Sequence, residues 1–120
     1  MASEYRTARH TALLVALLLL RSGKKRVRFS VKTLKKLADR ERLKSAFVVE
    51  VQLEAMNVGV IVVELNRGGF AAMWASPLEG AEVVTAATLI PLSDRKELGE
   101  VEILDELDLP AAADDEDDEP

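Results

Sequence analysis

Between Arg21 and Lys44 the chain reads RSGKKRVRFSVKTLKKLADRERLK, and eleven of these residues are Lys or Arg. They are Arg21, Lys24, Lys25, Arg26, Arg28, Lys32, Lys35, Lys36, Arg40, Arg42 and Lys44, opposed only by Asp39 and Glu41. Cations at this density neutralise phosphates and release condensed counterions, so binding of this kind weakens steeply with salt. The rest of the chain has the opposite sign. Residues 1–45 hold 13 basic and 3 acidic residues, a net of +10, and residues 46–120 hold 3 and 18, a net of −15, which together give the chain's −5. For Lys32, Lys35 and Lys36 taken alone, a solvated helix face is the plainer reading. For the whole block, contact with nucleic acid is the better one.

Other chemistry is scarce. The chain has no cysteine, which removes disulfides, thiolate catalysis and the common structural zinc sites, and suits a reducing cytoplasm. His10 is the single histidine, and a surface or capping role explains it. Arg67-Gly68-Gly69 is one turn, better explained by a hairpin than by a phosphate loop. The carboxylates crowd towards the C-terminal end, where no fold holds a pair for acid–base work. These residues predict neither an enzyme, nor a cofactor, nor a defined metal site.

The length of 120 residues and 48% apolar content predict one domain with a tail. Amides are few (Gln52, Asn57 and Asn66) and charges many, which leans towards a thermophile or a GC-rich genome. The run Thr11 to Leu20, TALLVALLLL, has about half the roughly 20 residues of a membrane-spanning helix. Arg21 follows it without a small-residue cleavage site, so a buried core helix is expected rather than a leader. Ser3 is the expected cap of that helix, which runs from Glu4 to about Arg21 and stops at Gly23. Apolar on every side, it suits a central position or a dimer surface.

Lys24 to Phe29 alternates like a strand. Ser30 then caps a short helix with Val31, Leu34, Leu37 and Ala38 on one side and Lys32, Lys35 and Lys36 on the other. Asp39 reads as the cap of a further helix starting at Arg40. Its continuation carries two periods. Leu43, Ala46, Phe47 and Val51 suit a helix to about Met56, whereas Phe47, Val49, Val51, Leu53 and Ala55 alternate like a half-buried strand. Val60 to Leu65 and Phe70 to Ala75 form a hairpin around Asn66-Arg67-Gly68-Gly69. Pro77 and Gly80 end it. Ala81 to Leu92 reads as a last strand and Ser93 to Leu98 as one helical turn. The predicted divisions are 1–92 as the domain, 93–109 as an acidic and apolar extension, and 110–120 as a disordered acidic tail.

This order of elements, from about Ala8 to Ser76, resembles the winged helix-turn-helix family. SVKTLKKLADRERLKSAFVVEV looks like its helix pair, and VIVVELNRGGFAAMWA like its wing. The resemblance implies an α+β fold, a tri-helical core with a β-hairpin wing, and favours the helix over the strand after Asp39. It also implies that the helix from Arg40 enters a major groove, offering Arg40, Arg42, Lys44 and Ser45 to guanine edges and phosphates. Arg67 would sit at the wing tip. Glu50, Gln52 and Glu54 depart from that pattern, since carboxylates repel phosphate.

The leading expectation is therefore a small DNA-binding protein, a transcriptional regulator or an accessory factor of replication or chromatin, suited to a homodimer on two half-sites. The candidate contacts are Lys24, Lys25, Arg26, Arg28, Lys32, Lys35, Lys36, Arg40, Arg42, Lys44 and Arg67. The second expectation is a protein adapter, with Ile103, Leu104, Leu107 and Leu109 of ILDELDL docking on a partner through residues 100–119. The plainest reading of the acidic tail is a solubility tail, followed by a competitor that folds back on the basic block. A third reading, a β-rich single-strand binder with Phe70 and Trp74 as stacking platforms, requires residues 47–55 to be a strand.

Overall fold

The computed structural model describes residues 6–110. The chain divides into two compact units, Met1–Ala81 and Glu82–Pro120. The first is built from α1 (Ala8–Ser22), β1 (Arg26–Phe29), α2 (Val31–Ala38), α3 (Ser45–Asn57), β2 (Val60–Glu64) and β3 (Phe70–Trp74), closed by the single turn α4 (Ser76–Glu79). The second contains α5 (Ala86–Leu89), α6 (Leu92–Glu97) and α7 (Glu100–Leu107). The fold is α+β, with one antiparallel sheet of order β1-β3-β2.

Local chemistry sets most boundaries. Thr7 caps α1, its hydroxyl accepting the His10 N–H at 3.0 Å, and Gly23 ends the helix in the left-handed region at φ 70°. The helix thus begins later than the Ser3 reading, and Ser3 itself lies outside the described residues. α1 is not buried on all sides. Thr11, Ala12, Val15 and Leu19 face the core, while Leu13 and Leu20 are exposed. Ser30 caps α2 as expected, its Oγ accepting the Thr33 N–H at 3.1 Å.

Asp39 does not cap the next helix. It ends α2 in the left-handed conformation, φ 56°, which a short polar side chain tolerates. Arg40 to Lys44 are a turn, and α3 starts at Ser45. Residues 45–57 are helix because Phe47, Val48, Val51 and Ala55 share one buried side, so the strand period is not used. A β-rich single-strand binder loses its premise with it. Phe70 is buried and Trp74 packs against the core, so neither is a stacking platform.

The hairpin forms where expected. Gly68 and Gly69 supply φ of 99° and 80°, and the Leu65 N–H donates to the Gly69 carbonyl at 2.9 Å. Phe29 and Phe70 face each other across β1 and β3, ring centroids 5.7 Å apart. The core runs from Ala12 to Ala72 and includes Leu19, Leu34, Val51 and Val60. Ala81 to Leu92 is not a strand: it is irregular around the single turn α5, and none of residues 82–110 is buried. The helical turn near Ser93 is present as α6. The acidic run 114–119 lies outside the described residues.

Candidate nucleic-acid interface

Pleating of β1 turns Val27 and Phe29 inward and leaves Arg26 and Arg28 exposed, opposite Met73 and Ala71 of β3. Lys24, Lys25 and Arg26 line a surface depression with Met73 and Pro77. Arg26 and Arg28 line its neighbour with Val27 and Ala71. Arg28 also borders a third depression, where Ser30 and Val31 at the start of α2 meet Gly68 and Gly69 of the hairpin. The end of β1, the start of α2 and the hairpin tip bearing exposed Arg67 therefore share one neighbourhood.

On α2, buried Leu34 and Ala38 anchor the helix. Lys32 and Lys36 are exposed and Lys35 is half-buried. Lys35 and Lys36 stand in the last turn, where a cation favours the helix dipole.

Arg40 turns inward and leaves this group. Its guanidinium carbon lies 3.7 Å from the Phe47 ring centroid, and its Nη2 donates to the Arg6 carbonyl at 3.0 Å. Arg6 reciprocates, its Nη1 donating to the Leu37 carbonyl at 3.1 Å. The two arginines fasten the approach to α1 onto the end of α2 and the start of α3. Arg42 and Lys44 are exposed in the same turn. They are therefore not on the first turn of a helix: Lys44 is the N-cap position of α3, and its side chain makes no capping bond. Among the described residues, no carboxylate pairs with Lys24, Lys25, Arg26, Arg28, Lys32, Lys35, Lys36, Arg42, Lys44 or Arg67.

The outward side of α3 carries no cation. Ser45, Ala46, Val49, Glu50, Leu53, Met56 and Asn57 are its exposed residues. Glu54 pairs with Arg9 of α1 at 3.4 Å, and Gln52 Nε2 donates to the Val62 carbonyl of β2 at 3.2 Å. The apolar stripe Val49, Leu53, Met56 was missed by reasoning from the sequence, although its i, i+4, i+7 spacing is visible there.

No family model, curated protein or solved structure matches the chain. Charge resolves the two units instead. Unit Met1–Ala81 has 14 basic and 7 acidic residues, a net of +7, and Glu82–Pro120 has 2 and 14, a net of −12, which again sum to −5. In the second unit Val101, Ile103, Leu107 and Leu109 are exposed and Leu104 is half-buried. Among the described residues no group of His, Asp or Glu could hold a metal ion. No helix among them is long and apolar enough to cross a membrane.

Proposed function

We propose that this chain is a non-enzymatic, winged-helix-like nucleic-acid-binding protein that grips the phosphate backbone of duplex DNA without reading its bases. The observation that carries the reading is the run of exposed cations that have no carboxylate partner among the described residues, along β1, α2 and the turn before α3. Unpaired cations keep their full attraction for a polyanion, and binding gains from counterion release. The α3 face argues against base readout, since Val49, Leu53 and Met56 offer no hydrogen bonds and Glu50 repels phosphate. Such a protein suits an accessory role in replication or chromatin better than recognition of one operator. The acidic second unit, net −12, lowers affinity at low salt by repelling the same polyanion.

Duplex DNA binding across a salt series tests this. Affinity should fall steeply with salt, differ little between sequences, and rise when residues 110–120 are removed. Absence of binding at low salt, with or without those residues, overturns it.

The adapter reading is kept for α7 alone, on one observation: Val101, Ile103, Leu107 and Leu109 are exposed in a unit with no buried residue among those described. A partner that is lost when Leu104, Leu107 and Leu109 become Ala, while DNA binding is unchanged, would establish it.

A further inference from the structure

The two edges of the sheet are not alike. Hydrogen bonding alternates along an antiparallel ladder, so a few bonds fix the phase of the rest. The Trp74 N–H donates to the Lys25 carbonyl at 3.4 Å, Ala75 N–H to Gly59 at 2.8 Å and Leu65 N–H to Gly69 at 2.9 Å. Phe70, Ala72 and Trp74 therefore bond towards β1, and Ala71 and Met73 towards β2. On β1 the bonded residues are Val27 and Phe29, partners of Ala72 and Phe70. The N–H and C=O groups of Arg26 and Arg28 point out of the sheet. The corresponding edge of β2 is partly closed, because Gln52 of α3 donates to the Val62 carbonyl. Among the described residues, none makes such a bond to the backbone of Arg26 or Arg28.

The side chains at the open edge have one chemistry on each face. Arg26 and Arg28 stand outward, and the two depressions that Arg26 borders are lined by cations and apolar residues without a carboxylate. Val27, between them, faces the core and is half-buried. A strand laid beside β1 would set two residues, two apart in sequence, next to the arginines, and the residue between them next to Val27. Its complement is an extended acid–apolar–acid segment. A nucleic acid suits the arginines but not the edge, because the outward carbonyls of Arg26 and Arg28 repel phosphate, whereas a peptide meets donors and acceptors alike.

We infer that the open edge of β1 accepts an extended acidic segment of a partner protein by strand addition, its alternate carboxylates on Arg26 and Arg28. This stands on the edge geometry and does not need the nucleic-acid reading. It shares two arginines with that reading, so a bound segment competes with DNA for them.

The test uses the full chain, labelled with 15N, and a capped peptide of alternating Glu and Val. At saturation the amides of Arg26 and Arg28 should exchange about tenfold more slowly, with the β2 edge unchanged. N-methylating alternate residues of the peptide, which removes its ladder donors and keeps its charge, should weaken binding about tenfold. Arg26→Ser with Arg28→Ser should do likewise, and both residues are exposed, so the fold is retained. Equal binding of the N-methylated peptide overturns the inference, since charge alone would then suffice. So does a double variant that self-associates yet binds peptide as before, since the arginines would only guard the edge. Protection of the same two amides by duplex DNA, but not by peptide, also overturns it and leaves the nucleic-acid reading standing.

Discussion

Replacing Arg40 and Arg42 by alanine, one at a time, separates packing from binding within a single turn. Arg40 is half-buried, stacks 3.7 Å over Phe47 and donates to the Arg6 carbonyl at 3.0 Å. A partly desolvated cation–π contact contributes about 1 kcal/mol. A hydrogen bond from a charged donor contributes about 1.5 kcal/mol. With the cover that its stem gives Phe47, the cost of Arg40→Ala comes to about 2–3 kcal/mol. For a unit of this size that lowers Tm by about 10–20 °C. Arg42 is exposed, and Arg42→Ala should change stability by less than about 0.5 kcal/mol. Trp74, the single tryptophan, packs against the core and reports urea unfolding by its fluorescence. DNA binding should rank the two in reverse: Arg42→Ala lowers the salt slope by about 0.9, and Arg40→Ala leaves it unchanged. Equal stabilities, or an equal loss of slope, would refute the division between the two arginines.

Lys32→Gln with Lys36→Gln should reduce the salt slope of DNA binding by about 1.8, read from affinities at four or more ionic strengths, with urea midpoints unchanged. Leu53→Lys adds a cation to an exposed site on α3; the slope should stay constant, and a rise of about 0.9 would mean that α3 faces the DNA after all. Thr11 is fully buried and its hydroxyl has no partner among the described residues, so Thr11→Val should raise stability by about 1 kcal/mol in urea unfolding. Gly69→Ala meets both a φ of 80° and a Cβ position 3.0 Å from the Phe29 carbonyl oxygen; it should cost about 2 kcal/mol, more than Gly68→Ala, whose Cβ position is open.

Legibility in the sequence followed the range of the interactions. Ser30, Gly23 and the Asn66–Gly69 turn act on backbone groups within a few residues, and each was readable where it stands. Asp39 was misread because aspartate serves equally as an N-cap and as a left-handed terminus. What decides between them is Arg40, drawn back to Phe47 and to Arg6, which lies 34 positions away. Residues 47–55 carried both periods, and only the burial of Phe47, Val48, Val51 and Ala55 together selects the helix. Val83 and Val84 have strand propensity but no strand beside them in the sheet, whose three strands all precede Ser76. The cations were legible as a block because charge is a matter of composition. That Arg40 leaves the block for the core was not, since its partners are distant in sequence.

The position of the positive charge limits the kind of recognition open to this fold. A helix that reads bases must bring hydrogen-bonding side chains to the groove floor and keep carboxylates from the phosphates beside it. The middle of the outward side of α3 does neither: between Ser45 and Asn57 at its ends it offers Val49, Leu53 and Met56, with Glu50 among them. The cations instead flank it in chain order, on β1 and α2 before it and on Arg67 after it. Contacts of that kind fix register and affinity but carry no sequence information. An apolar helix face and an open, arginine-bearing sheet edge are instead suited to protein, which supplies apolar surface and paired backbone groups together. On the proposed reading, the two chemistries are separate: phosphate binding would fall to side chains that any polyanion satisfies, and selectivity to surfaces that only another polypeptide can match.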